Sequence, residues 1–201
     1  MRKLPRSFYL HDTVTVAREL LGCVLWRRLD HGELLAARIV ETEAYLGAND
    51  MASHARRGLR SERNASMYLD GGHAYVYFTY GMHWCMNVVT QEADTAEAVL
   101  LRGAEPVRGV EAMRERRPKA KRTHELMNGP GKICMAMDID RRLDGESLRG
   151  DALWLAPRDV EVEDIAVSPR IGIDNSGDAA AWPLRFFLRG NRNVSAYRLS
   201  S

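Results

Sequence analysis

From Val14 to Leu21 the apolar residues Val14, Ala17, Leu20 and Leu21 recur every three or four positions, which predicts a short helix with one buried face. Asp12 stands where an N-cap belongs, and Gly22 falls just past the end. The period then changes to two. Cys23 to Arg28 and Glu33 to Glu43 read as strands joined by the turn Asp30-His31-Gly32, which makes a hairpin. In the second strand Ala37, Ile39, Glu41, Glu43 and Tyr45 share one face. Gly47, Asn49 and Asp50 break that strand into a loop, and His54 follows.

Ala55 to Asp70 is irregular and rich in Arg, and a long loop in a compact domain is often functional. Gly72 to Tyr80 is a strand dense in rings, and Met82 to Thr90 is another, with only Gly81 and its neighbours between them. This predicts a tight hairpin with Tyr80 and Met82 at its tip. Ala98 to Arg102 reads as a third strand of the region. Pro106 suits a first helical position, so a helix is expected from there to about Arg117. Asn128-Gly129-Pro130-Gly131-Lys132 leads into a short helix over Ile133 to Met137. Leu153 to Leu155, the Val160 region, Ile165 to Val167 and Leu184 to Leu188 read as short strands. The expected fold class is α+β. One domain over residues 1–201 would hold a curved, mainly antiparallel β-sheet, surrounding helices and a protruding β-hairpin.

Composition changes this picture little. With 201 residues the chain can bury a sizeable core, and no linker or repeat divides it. The net charge of +2 says little about partners, but its distribution says more. Arg56, Arg57, Arg60 and Arg63 crowd one loop, and Arg114, Arg116, Arg117, Lys119, Lys121 and Arg122 crowd another segment. Arg185, Arg189, Arg192 and Arg198 end the chain without an acid among them. Such polarity suits a polyanion on one side of the molecule, or a set of ordinary solvated faces. Cys23, Cys85 and Cys134 are odd in number and far apart, so neither a disulfide framework nor a zinc site is indicated. That usage fits a reducing compartment, and neither a signal peptide nor a spanning segment is evident, so a cytoplasmic protein without membrane contact is expected.

The candidate chemistry lies at the end of the long strand. A carboxylate there, a ring two residues on and a His in the next loop are what a catalytic pocket needs. Glu43 could take a proton from water, and rings could hold a flat substrate. Glu41 has the same parity, so periodicity cannot choose between them, and a solvated strand-end Glu is the commoner case. Gly-Pro-Gly-Lys is not a P-loop, because the spacing and the hydroxyl after Lys132 are both missing. Its amides at a helix start could still hold a phosphate.

Several stretches together carry a resemblance. Arg-Ile-Val-Glu-Thr-Glu-Ala-Tyr-Leu-Gly is followed by Tyr-Val-Tyr-Phe-Thr-Tyr-Gly-Met-His-Trp-Cys-Met-Asn-Val and Val-Leu-Leu-Arg-Gly-Ala-Glu-Pro. Asn-Gly-Pro-Gly-Lys, Pro-Arg-Ile-Gly-Ile and Pro-Leu-Arg-Phe-Phe come next. In this order, from about Tyr9 to Val194, they resemble the alkyladenine (3-methyladenine) DNA glycosylases. The resemblance implies a base-excision repair enzyme that flips alkylated purines out of double-stranded DNA and leaves an abasic site. It implies a monomer with no metal and no organic cofactor.

Residue by residue, the resemblance makes Glu43 the general base and Arg102 an active-site Arg near the water and backbone. Tyr45, His54 and Tyr77 would surround the flipped base, and Asn87 would screen purines by their amino groups. Tyr80 would be the wedge that fills the gap in the duplex, with Met82 its minor-groove neighbour. Arg63 and Lys132 are candidates for phosphate contact. Glu41→Gln is expected to be mild. His83 departs from the pattern, since animal members carry a Tyr there. A catalytically silent nucleic-acid-binding module is the competing class, against which the Glu43, Tyr45 and Tyr77 set argues. The helix-hairpin-helix glycosylases do not fit, because their hairpin and following catalytic Asp are not evident.

Overall fold

The structure, a computed structural model, describes residues 2–195. In chain order the regular elements are α1 (Arg6–Tyr9), α2 (Thr13–Glu19), β1 (Val24–Arg28), β2 (Leu34–Tyr45), β3 (Ala74–Thr79), β4 (His83–Thr90) and β5 (Glu97–Arg108). They continue with α3 (Val110–Arg116), α4 (Pro130–Ala136), β6 (Leu153–Ala156), β7 (Ile165–Ser168) and β8 (Arg185–Leu188). The class is α+β. The eight strands form one curled sheet in the order β3-β4-β5-β2-β1-β6, with β8 pairing both β2 and β7. The pairings between these strands are antiparallel.

Helix α2 forms as its signals predict. The Asp12 side chain accepts from the Thr15 N–H at 3.0 Å, a cap that contributes about 1 kcal/mol. Ala17, Leu20 and Leu21 are sealed into the core as expected, whereas Val14 is only partly buried against it and Val16 is sealed in as well.

Strand β2 organises the sheet. It pairs β5 along one side; along the other it pairs β1 over its first half and β8 at Glu41, Thr42 and Glu43. A strand flanked on both sides and covered on both faces cannot show a clean alternation of burial, and β2 is buried almost throughout. Ala37 and Ile39 join the main core, but the register with β5 shifts between Ile39 and Glu41. Beyond that bulge Thr42 and Ala44 turn to the core, and Glu41 and Glu43, equally buried, lie on the opposite face, so the single face expected from Ala37 to Tyr45 is broken.

Two further expectations are overturned. Pro106 lies within β5, opposite Ala37, and the helix begins only at Val110 after Gly109. Pro106 is tolerated because β4 pairs only residues 97–100 of β5, so the missing N–H falls on a stretch without a strand neighbour on that side. The Val160 region forms no strand; it is an exposed bend leading into β7. One expectation needs adjustment: α4 begins at Pro130, its first-turn Pro, not at Ile133.

The β3–β4 hairpin has two faces. Ala74, Val76, Met86 and Val88 point into the core, whereas Tyr75, Tyr77, Cys85 and Asn87 occupy the other face, with Tyr75 opposite Asn87 and Tyr77 opposite Cys85. The tip turns through Tyr80 and Gly81, both with positive φ, and the Met82 N–H closes it on the Thr79 carbonyl. Positive φ is costly for a bulky residue such as Tyr80, so the neighbouring glycine relieves half the strain of the turn.

Candidate active site

The second face of the hairpin, the ends of β2 and β5, the Arg-rich loop and the segment after β7 enclose a cavity of about 670 Å3. Tyr45, His54, Tyr75, Tyr77, Asn87 and Arg102 are among its walls. Residues that lie more than forty positions apart in the sequence meet here because β2, β4 and β5 are neighbours in one sheet.

Glu43 lies directly behind the cavity wall, fully buried. Its Oε2 accepts from the Tyr45 hydroxyl at 2.8 Å, and its Oε1 accepts from the Ile171 N–H at 2.7 Å. Arg102 Nη1 stands 3.4 Å from Oε1. All three partners line the cavity. Burial, then the neighbouring Glu43 charge, pushes the Tyr45 phenol well above its ordinary range, so it stays protonated and donates.

Glu41 differs from Glu43 although the two share a parity. It accepts from Arg185 Nε at 2.6 Å, from the Ser195 N–H at 2.6 Å and from the Ser195 hydroxyl at 2.7 Å, with Arg102 Nε at 3.3 Å. The backbone at Gly103 packs against it so closely that a Cβ there would sit 3.0 Å from Glu41 Oε2 and 2.7 Å from the Asn193 carbonyl. Glu41 is therefore a buried anchor for Arg185 and Ser195, and its substitution is expected to damage stability even where its effect on base release is mild. Arg102 links the two carboxylates. It occupies a β-bulge, where the register passes from Thr42 opposite Leu101 to Glu41 opposite Gly103. Bulges re-aim side chains, and this one carries a guanidinium shared by both glutamates.

The rings form a packed wall. Tyr75 and Tyr77 lie 5.4 Å apart with planes 30° from parallel, and His54 meets Tyr77 edge-on at 4.5 Å. His54 Nδ1 is 2.7 Å from the Tyr75 hydroxyl. Burial, with Arg63 and Arg56 nearby, holds the His54 imidazole down to about 4, so it is neutral near pH 7. Asn64, buried in the Arg-rich loop, donates to the His54 and Leu59 carbonyls at 3.0 and 2.8 Å and so fixes the loop that carries His54. Asn87 Nδ2 donates to the Tyr75 carbonyl at 3.1 Å while the residue faces the cavity.

Of the remaining candidates, Tyr80 alone borders the cavity. It is 81% exposed at the hairpin tip, and Met82 is 65% exposed beside it. Tyr80 belongs to none of the hydrophobic clusters among the described residues. Arg63 donates to the Phe78 carbonyl at 3.2 Å, with its guanidinium 6.0 Å from the Tyr77 ring. Lys132 lies on α4 and donates to Asn128 Oδ1 at 2.6 Å, outside the cavity wall. Of the clustered basic residues, Arg56 joins Arg102 in lining the cavity, whereas Arg114, Lys121, Arg122 and Arg192 line a second groove of about 890 Å3. Arg185 is buried on Glu41, and Arg198 lies outside the described residues. Among the described residues no group of three or more His, Cys, Asp or Glu side chains could hold a metal ion, and no helix is long and apolar enough to cross a membrane.

Sequence reasoning gave no role to Tyr75, to the Ile171 amide or to Arg170 behind it. Tyr75 shares the parity of Tyr77 and was findable on that ground. A backbone amide from the segment after β7 has no local signature, and only the fold brings it to Glu43.

The family model of methylpurine-DNA glycosylases (MPG) matches residues 7–192. A protein of Desulfitobacterium hafniense, provisionally named a 3-methyladenine DNA glycosylase, is 45% identical over 97% of this chain and 99% of its own length. Proteins of Methanocella arvoryzae and Bdellovibrio bacteriovorus carry the same provisional name. Each is 46% identical, over 97% and 96% of this chain and 96% and 98% of their own lengths respectively. The matches span the sheet, the Arg-rich loop, the hairpin and the cavity wall together, and the chain belongs to the methylpurine-DNA glycosylase family.

Proposed function

We propose that this protein is a DNA repair glycosylase that extrudes alkylated purines, 3-methyladenine and related bases, from duplex DNA and hydrolyses the bond between base and sugar. The observation that carries the reading is a fully buried carboxylate, Glu43, held behind an aromatic cavity by residues that line it. Binding alone needs no such group.

A base within the stack cannot reach a buried carboxylate, so the nucleotide must leave the duplex, at a cost of a few kcal/mol. Tyr80 would enter the gap from the minor groove, a role its exposure on the tip beside the cavity supports. Alkylation at N3 or N7 leaves the purine cationic. Faces of Tyr45 and Tyr77 attract such a ring by about 0.5 to 2 kcal/mol per contact. Neutral His54 adds no opposing charge.

The charged purine is a good leaving group. Its bond to C1′ breaks, the electron pair goes to the purine ring, and the base departs neutral. Positive charge develops on the sugar, and Glu43 stabilises it. A carboxylate offers about four acceptor positions. Tyr45 and Ile171 fill two of those on Glu43, which leaves capacity for a water oriented with the help of Arg102. Glu43 takes the proton of that water as its oxygen bonds C1′, and later releases it to solvent. Phosphates flanking the lesion would meet Arg56, Arg63, Lys132 and the groove of Lys121 and Arg122, so affinity should fall steeply with salt.

Incubation with methylated duplex DNA tests the reading. Chromatography should identify released 3-methyladenine, and an absence of any free base would refute it. Two substitutions address finer roles. Tyr80→Ser should weaken binding of lesion-bearing duplex by about 1 to 3 kcal/mol, the scale of a lost stack, and affect single strands less. An equal effect on both substrates would mean that Tyr80 is not a wedge.

Asn87 is proposed to meet the minor-groove edge of the extruded base, where guanine carries an amino group and adenine none. Asn87→Ser should raise release of 7-methylguanine relative to 3-methyladenine by roughly 10- to 200-fold, even if both rates fall. An unchanged ratio would leave Asn87 with only its bond to Tyr75.

A further inference from the structure

We infer that the buried pair of Asp50 and Arg170 is a positioning device for the catalytic carboxylate, a role that rests on the reading of the site proposed above. Arg170 is fully buried and lines no part of the cavity. It immediately precedes Ile171, whose amide is one of the two hydrogen-bond donors on Glu43. Its guanidinium forks onto both Asp50 oxygens, with Nη2 to Oδ1 at 2.8 Å. The same nitrogens reach the Ala44 carbonyl at 2.9 Å and the Ala179 carbonyl at 3.2 Å.

Ala44 is the residue between Glu43 and Tyr45, so one side chain ties the strand that carries Glu43 to the segment that caps it. The guanidinium carbon also lies 4.6 Å from the centre of the Tyr45 ring. Because Arg170 contributes nothing to the cavity wall, it occupies the side of that ring turned away from the cavity. Both donors on Glu43 are thus set by Arg170: the Ile171 amide through the chain, and the Tyr45 hydroxyl through the ring.

Asp50 is saturated in turn. Besides the fork it accepts from the Leu46 N–H at 3.1 Å and the Ala52 N–H at 3.0 Å, in the loop that leads to His54. Arg170 Nε has no hydrogen-bond partner among the described residues. A buried ion pair with one donor left unmatched is a poor means of stabilising a fold, since apolar residues of similar volume would often do as well. Its geometry is instead suited to holding four backbone segments in one register. A Lys would keep the charge and lose the planar fork.

Arg170→Lys tests the inference. Binding of a duplex carrying a tetrahydrofuran abasic analogue should stay within about threefold of wild type, while single-turnover base release from methylated duplex falls about 100-fold, the scale of an ångström-sized misplacement. Amide hydrogen exchange supplies a readout independent of activity. The Ile171 amide should be protected in the wild type and lose that protection in Arg170→Lys, while core amides of β2 keep theirs. Should Arg170→Lys fail to fold, the pair Asp50→Asn with Arg170→Gln, which removes both charges together, takes its place with the same expectations. Retained protection at Ile171, a release rate within threefold of wild type, or equal losses in binding and release would overturn the inference. Failure of the wild type to release any base would refute the proposed function instead, and the exchange result would still report on the Arg170 contact.

Discussion

Glu43→Gln should lower single-turnover base release by about 10²- to 10⁴-fold, the contribution of a positioned general base, while binding of damaged duplex is retained. Gln keeps the shape of Glu43 and its carbonyl oxygen, so the Ile171 amide retains an acceptor. The Tyr45 hydroxyl can turn from donor to acceptor, and Arg102 keeps its contact with Glu41. Only the negative charge and the capacity to take a proton are lost. The cavity wall remains, and so does the tip that enters the duplex. Near-normal release by Glu43→Gln, measured under single turnover with the released base identified, would remove Glu43 from the mechanism.

Glu41→Gln should act on the fold. Glu41 is the fully buried counter-charge of Arg185 and a partner of Arg102, and it accepts two hydrogen bonds from Ser195. Removing one member of a buried ionic cluster leaves guanidinium charge uncompensated and costs about 3 to 5 kcal/mol. For a chain of this size that corresponds to a drop in melting temperature of roughly 6 to 20 °C. Activity per folded molecule should fall far less than in Glu43→Gln, because Glu43 keeps its own donors. Thermal melts of both variants beside their single-turnover rates separate the two roles. A Glu41→Gln protein with normal stability and abolished release would reverse the assignment.

The contrast between these two residues marks how far the sequence could be read. Periodicity put Ala37, Ile39, Glu41, Glu43 and Tyr45 on one face, but the bulge between Ile39 and Glu41 breaks that face: Ala37 and Ile39 join Ala44 in the main core, and Glu41, Glu43 and Tyr45 take the opposite side. Periodicity could not separate Glu41 from Glu43, since both are buried and both touch Arg102. What distinguishes them comes from β8 and the segments around it: Arg185 and Ser195 close over Glu41, and Ile171 reaches Glu43. These are pairings across more than a hundred residues, which no local pattern records. The helix signals at Asp12 and the hairpin at Gly81 are local, and both were legible. Pro106 misled for the same reason in reverse. Its local preference for a helix start was overridden by β2, which pairs β5 through to Arg108. The roles of Tyr80 and Asn87 entered through the family resemblance; the structure adds that Tyr80 is exposed beside the cavity and that Asn87 faces it.

Hydrolysis through a water activated at Glu43 makes one demand that no binding protein and no strand-cleaving enzyme would meet. After reaction with a duplex carrying a single methylated purine, mass spectrometry of the damaged strand should show one product. That product has lost the base and gained the elements of water at C1′, with every phosphodiester bond intact, and one free base appears in solution for each such strand. A strand of unchanged mass, or one cut at the lesion without alkali, would contradict the account.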